Sequence, residues 1–210
     1  ERDRSEVLAG ISHDLRTPLT RLRLEAELSV ADEVARQAVV TDIEQMEAII
    51  SQFMDYARGD QGEAAVKTDL SALLFTLSER QRCLGHPLLL NIDETLPELK
   101  LRPKALTRAL TNLIDNAWKY GGTSITLTAN IQAECLCIEV GDNGPGIPEN
   151  QIERLKQPFT RLENARTNAS GTGLGLAIVE RVARVHGGRL ELLPNPNGGL
   201  IARLSLPLNF

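Results

Sequence analysis

Between residues 39 and 57 the apolar residues Val39, Ile43, Met46, Ile50, Phe53 and Ala57 alternate steps of four and three without a fault. That pattern is a heptad seam, and a seam needs a partner. A second stripe precedes it: Leu8, Ile11, Leu15, Leu19, Leu22 and Ala26 recur at threes and fours. The polar stretch SVADEVARQ between them is short enough for an antiparallel hairpin, with its loop near residues 29 to 36. Two helices alone bury such stripes poorly. A second copy closing a four-helix bundle completes them economically; the alternative is a monomeric hairpin packed on the rest of the chain.

Beyond Tyr56 the pattern changes. ARGDQGEAAVKTD has no period and reads as a linker. DLSALLFTLSERQRCL follows as an amphipathic helix with Asp69 as N-cap. HPLLLNID and ELKLRP suit short strands. PKALTRALTNLIDNAWKYG is a long helix opened by Pro103 and stopped by Gly121 and Gly122. SITLTANIQ and ECLCIEVGD form a strand pair, GLGLAIVERVARVHG another helix, and GRLELLPNPNGGLIARLSLPL a closing hairpin. Helices segregated against an antiparallel or mixed sheet make an α/β sandwich, so the whole chain is of α+β class. The expected division is a helical domain over residues 1–58, a linker over 59–67 and a sandwich over 68–210.

Composition excludes some functions. A formal charge of −5 leaves no basic surplus for neutralising nucleic-acid phosphates. No apolar run approaches the roughly 18 residues that span a bilayer. The chain begins at Glu1, which fits a piece excised from something longer. Cys135 and Cys137 lie on one face of a strand and read, like Cys83, as buried reduced thiols rather than ligands, because no second Cys or His pair has metal spacing.

Three clusters carry chemistry in the second region. In NLIDNAWKY, Asn112 and Asn116 are four apart and face the same way on a helix. Their amide oxygens are hard enough for Mg²⁺, though helical asparagines are as a rule simply solvated. In DNGPGI, Asp142 leaves a strand as an acceptor fit for an exocyclic amine, and Gly144 and Gly146 allow close approach of a planar ligand. In GTGLGL, spanning Gly171, Thr172, Gly173, Leu174, Gly175 and Leu176, bare amides open a helix and favour an anion. No strand precedes that loop, so it is not a dinucleotide fingerprint, and there is no G-x-x-x-x-G-K-[ST] motif.

The stretch SHDLRTPL adds a nucleophile. At about 100° per residue, His13 falls roughly 140° to 160° from the centre of its helix's apolar stripe, and Thr17 joins it one turn on. Asp14 is adjacent. Pro18 cannot donate to the Asp14 carbonyl, so the helix should loosen one turn after His13. Arg16, Arg21 and Arg23 suit either an acidic partner or a solvated face. Trp118 reads as packing, and His86 and His186 as surface or capping residues.

Taken together, these motifs resemble the cytoplasmic catalytic part of a bacterial sensor histidine kinase. SHDLRTPLTRLRLEAEL resembles the histidine box, NLIDNAWKY the N box, DNGPGI the first glycine box, QPFTR the F box and GTGLGLAIVERVARVHGG the second glycine box. The short QPFTRLENARTNASGTGLGLAIV is closest to EnvZ-type osmosensing kinases. The resemblance implies a dimeric helical hairpin joined to a Bergerat-type sandwich that binds ATP and Mg²⁺. It implies that His13 is the phosphoacceptor, that Asp14 assists it, and that Thr17 places water for dephosphorylating a response regulator. It implies that Asn116 holds Mg²⁺ beside Asn112, that Lys119, Tyr120 and Ile147 line the nucleotide site, and that Asp142 reads adenine over Gly144 and Gly146. Phe159, Arg161 and the loop Gly171, Thr172, Gly173, Leu174, Gly175 would form a lid. The expected partners are a second copy and a receiver domain, not nucleic acid. The expected location is the cytoplasmic portion of an inner-membrane protein, with membrane contact only through a segment upstream. Two rivals keep the fold: an ATPase or serine kinase with His13 incidental, and a signalling scaffold with a degenerate pocket.

Overall fold

The computed structural model describes residues 2–58, 63–93, 96–162 and 172–208, except for the side chains of residues 2–9, 11–13 and 58. The linker residues 59–62 and Gly171 therefore lie outside the described residues, as does the His13 side chain.

Two long helices, α1 (Arg2–Ser29) and α2 (Glu33–Arg58), form the expected hairpin. The connection is shorter than the polar stretch suggested. Asp32 caps α2 directly, its Oδ2 accepting the Ala35 N–H at 3.1 Å, so the helix absorbs residues 33 to 36. Pro18 lies inside α1 without ending it. Leu19, Ala26, Val40, Ile43 and Met54 are buried, whereas Leu15, Leu22, Val39, Met46 and Phe53 of the two stripes stay exposed. Each helix thus spends one edge of its stripe on its neighbour and leaves the other uncovered.

The second region is a five-stranded sheet with helices on one side. Its strands are β2 (Leu89–Ile92), β4 (Ile125–Gln132), β5 (Cys135–Asp142), β6 (Arg189–Pro194) and β7 (Leu200–Pro207), in the order β2-β4-β5-β7-β6. Among the described residues, β2 and β4 pair in parallel and the other neighbours antiparallel. A separate ribbon pairs β1 (Val66–Thr68) with β3 (Leu99–Leu101). That strand falls in the stretch read as linker, because a three-residue strand is too short to show a period. The helices are α3 (Leu70–Cys83), α4 (Pro103–Tyr120), a short α5 (Ile152–Leu155) and α6 (Gly175–Val185). Asp69 caps α3 as expected, its Oδ1 accepting the Ala72 N–H at 2.9 Å.

Helix α4 is the structural centre. Leu106, Ala109, Leu110, Leu113, Ile114 and Ala117 fill one continuous buried stripe against Ile138 and Val140 of the sheet core. Arg102 gives α4 no side-chain cap. Glu63 supplies one from far upstream: its two carboxylate oxygens accept the Lys104 and Ala105 N–H groups, each at 2.8 Å.

Of the two readings of His186, capping holds and surface does not: it is the C-cap of α6. It is wholly buried, accepting the Arg102 N–H on Nε2 at 3.1 Å with Nδ1 2.8 Å from the Val182 carbonyl, so it ties the end of α6 to the start of α4. His86 is exposed and stacks on Trp118 with ring centroids 4.8 Å apart, which makes Trp118 a packing residue. Cys137 is buried, Cys135 half-buried and Cys83 exposed, all as free thiols.

Burial above all lowers the His186 pKa, and the nearby Arg102 charge adds to this against the Val182 carbonyl and Glu63. The neutral ring is the folded form. Stability is therefore full above the unfolded imidazole value of about 6.5 and falls as pH drops below it. Unfolding midpoints measured between pH 7 and 5 should fall more steeply for the unaltered chain than for His186→Gln, which keeps an acceptor and a donor without a titrating ring.

Candidate active site

A cavity of about 930 Å³ opens between α4, the loop after β5, the start of α6 and the flank of α2. Asn112, Asn116, Lys119 and Tyr120 of α4 line it, with Asp142 at the end of β5, Gly146 and Ile147 after it, Arg161, and Thr172, Gly173 and Gly175. The α4 residues reach it because they share the helix edge next to the buried stripe. Sequence reading gathered these residues from four separate motifs, and the fold brings them around one cavity.

Asp142 is 7% exposed. Its Oδ1 accepts the Gly144 N–H at 2.9 Å and the Leu200 N–H at 3.2 Å, and its carbonyl accepts Asn195 Nδ2 at 2.7 Å. Burial raises its pKa, and the two N–H donors oppose that rise without cancelling it. Gly199, in the left-handed region at φ +99°, lies so close that a Cβ there would collide with the Asp142 carbonyl and carboxylate. The turn PNPNGG thus fastens Asp142, a role its sequence did not signal because the contact spans more than fifty residues.

Two amides of α4 also face the cavity. Asn112 spends its Nδ2 on the Arg108 carbonyl at 2.9 Å, which leaves its Oδ1 facing Gly175. A Cβ on Gly175 would stand 3.3 Å from both Asn112 Oδ1 and Asn116 Nδ2, so the glycine keeps open the space before the two amides. Lys119 has its pKa lowered by burial and then by the positive charge of Arg161. Two cations therefore converge on the cavity, which suits a polyanion.

The other sequence-predicted residues lie elsewhere. Gly144 supports Asp142 from behind, and Leu174 is buried in the core at the head of α6. Phe159 is 63% exposed and does not line the cavity; it sits at φ +63° and donates its N–H to the Gly173 carbonyl at 3.0 Å. Asp14 and Thr17 are exposed on α1. The Arg23–Glu44 ion pair at 3.3 Å and the tight connection fix an antiparallel register, so residue 13 stands roughly level with residues 49 to 54 of α2. Ile49 and Gln52 of that stretch, with Gln45 and Ala48 one turn before it, form the α2 side of the cavity. No sequence feature marked them, since a helix flank becomes a pocket wall only when another domain seats on it.

Residues 102–209 match the family described as histidine kinase-, DNA gyrase B-, and HSP90-like ATPase, and residues 3–62 match the His Kinase A phospho-acceptor domain. The chain belongs to the histidine kinase-like ATPases. Among curated relatives, the sensor histidine kinase GtrS of Pseudomonas aeruginosa is 35% identical over 98% of this chain and 42% of its own length. The chain spans less than half the length of the curated relatives it matches. The solved histidine kinase domain of the E. coli osmosensor EnvZ is 34% identical over 72% of this chain and 93% of that one, with a TM-score of 0.56. Full-length ShkA in complex with AMPPNP has a TM-score of 0.79 over 96% of this chain and 45% of that one; at 24% identity it shares the fold. Among the described residues no helix is long and apolar enough to cross a membrane.

Gly173 provides a test of how the cavity rim is held. It lies at φ +71°, and a Cβ would stand 2.7 Å from the Thr160 carbonyl oxygen. Gly173→Ala should cost about 1–3 kcal/mol by urea unfolding and open the segment around Phe159 to limited proteolysis, whereas Gly10→Ala, with open space around it, should do neither.

Proposed function

We propose that this chain is the catalytic region of a two-component sensor kinase that moves the γ-phosphoryl group of ATP to His13 and then to an aspartate of a response regulator. The observation that carries the proposal is the cavity itself: a buried carboxylate, two amides and two cations share its lining, and α2 of the hairpin that bears His13 forms part of it. Phosphoryl transfer needs positioning and charge neutralisation more than covalent help from the protein, and those are what this wall offers.

Each residue then has a task. Asp142 accepts a hydrogen bond from the adenine amino group, beside Ile147 and the backbone of Gly144 and Gly146. Tyr120 shields the base edge, while Lys119 and Arg161 draw the phosphates. Asn116, with Asn112 beside it, would hold Mg²⁺ by its amide oxygen, a hard donor of the kind taken by an ion that keeps its waters and binds phosphate oxygens. When bound, the ion neutralises charge on the triphosphate. Thr172, Gly173 and Gly175 bring the start of α6 to the same anion, with Leu174 anchoring that turn in the core. Phe159 and Gly171 belong to the rim segment. A nitrogen of His13 attacks the γ-phosphorus, the bond to the β,γ-bridging oxygen breaks, ADP departs, and Asp14 takes up the imidazole proton. Thr17 serves the reverse task, holding water for dephosphorylation of the regulator.

We further propose a homodimer, supported by the uncovered seam residues Leu15, Leu22, Val39, Met46 and Phe53. Residues 1–58, 59–67 and 68–210 would act as phosphoacceptor domain, linker and ATP-binding domain in the cytoplasmic portion of an inner-membrane sensor. An EnvZ-type affinity within the family is supported by the short stretch between QPFTR and GTGLGL and by the 34% identity.

Incubation with γ-labelled ATP and Mg²⁺ tests the reaction. The unaltered chain should take up acid-labile, base-stable label and His13→Gln should take up less than a hundredth as much. Acid-stable label, or equal label in His13→Gln, would overturn it. A second expectation concerns pH. Adenine recognition needs the ionised Asp142, so ATP affinity should fall as pH drops through its raised pKa, at higher pH than an ordinary carboxylate would allow. Asp142→Asn should bind weakly at every pH and show no such inflection in calorimetry.

A further inference from the structure

Gln52 makes a contact that the phosphoryl-transfer scheme does not use. The Thr172 hydroxyl donates to Gln52 Oε1 at 2.6 Å and accepts the Leu174 N–H at 3.2 Å. One hydroxyl therefore joins α2, the rim of the cavity and the head of α6. The next turn of α2 is fastened to the same body. Arg181 donates from Nη1 to the Tyr56 carbonyl at 2.8 Å with its guanidinium 6.0 Å over the Tyr56 ring, and Asp55 faces Arg108 at 4.0 Å.

These three contacts differ in kind. Arg181–Tyr56 and Asp55–Arg108 lie behind the cavity wall and involve no residue that lines it. Thr172 and Gln52 both line it. A threonine hydroxyl carries a single proton, so while it donates to Gln52 it has none for a ligand. A phosphate oxygen is anionic and is the stronger acceptor of that proton. The amide of Gln52 and a phosphate in the cavity therefore compete for one donor.

We propose that Gln52 is a positioning residue that competes with nucleotide phosphate for the Thr172 hydroxyl, so that phosphate binding and the docking of α2 oppose each other. The proposal rests on the reading of the cavity as a nucleotide site. Loading the cavity releases Gln52 and leaves the two rear contacts in place, which loosens the hairpin against the ATP-binding domain. Linkage makes the effect reciprocal: whatever the phosphates cost the docking of α2, docking costs the affinity for phosphates.

The test uses the full chain and calorimetry with ATP and with adenosine. Gln52→Ala should bind ATP roughly two- to tenfold more tightly, the worth of one hydrogen bond, and bind adenosine as the unaltered chain does. In the Thr172→Val background, Gln52→Ala should change nothing further. ATP should also speed amide exchange over residues 52 to 57 of the unaltered chain, and should not do so in Gln52→Ala. A structural role alone would move ATP and adenosine together. Unchanged or weaker ATP binding by Gln52→Ala, or equal shifts for both ligands, would overturn the competition. Failure of the unaltered chain to bind ATP at all would instead overturn the nucleotide reading beneath it.

Discussion

The site depends on helix α4 being unable to turn about its own axis. Leu106, Ala109, Leu110, Leu113, Ile114 and Ala117 are all buried, and a rotation by one residue, about 100°, would drive Asn112 and Asn116 into the core while exposing leucines. Burying an unpaired amide and exposing a leucine each cost on the order of 2 kcal/mol. Several such exchanges at once exceed what a marginally stable domain can absorb. The polar edge of α4 is therefore presented to the cavity by the packing of its opposite edge. Both ends of the helix reinforce this: Glu63 and His186 hold its first turn, and Gly121 closes against Asp142 at its last.

The hairpin follows a different logic. Its stripes are wide enough for two partners, and among the described residues α1 and α2 bury Leu19, Ala26, Val40, Ile43 and Met54. The other edge of the stripes stays exposed, while one flank of α2 becomes a wall of the cavity. One helix thus has several faces in use, which is why its charged and amide residues matter as much as its seam. Gln52, Asp55 and Tyr56 occupy successive positions on the flank that meets the ATP-binding domain.

Much of this was legible from the chain. The heptad seam, the Asp69 cap, the long helix from Pro103 and both closing strand pairs follow from periods and caps within short windows. So do the asparagine pair, Asp142 and the glycine loop, because each motif sits on one element and its residues share a face. The misreadings have a common cause. The strand Val66–Thr68 exists only through its pairing with Leu99–Leu101, and its own three residues carry no period. His186 was read as a surface or capping residue, and its burial escaped that reading because nothing in its local sequence discloses that Arg102, eighty-four residues away, offers it an N–H.

By itself, then, the sequence determined the two kinds of domain, the order of their helices and strands, and the residue types available for chemistry. These are set by backbone propensity and hydrophobic period, which act over a few residues. Tertiary structure decided that Asn195 and Leu200 would brace Asp142, that Glu63 would cap α4, and that Gln52 would reach Thr172. Such contacts join residues dozens of positions apart, and their partners become neighbours only when the sheet and helices pack. A hydrogen bond has direction and a reach of about 3 Å, so no pattern along the chain can announce it before the fold brings donor and acceptor together.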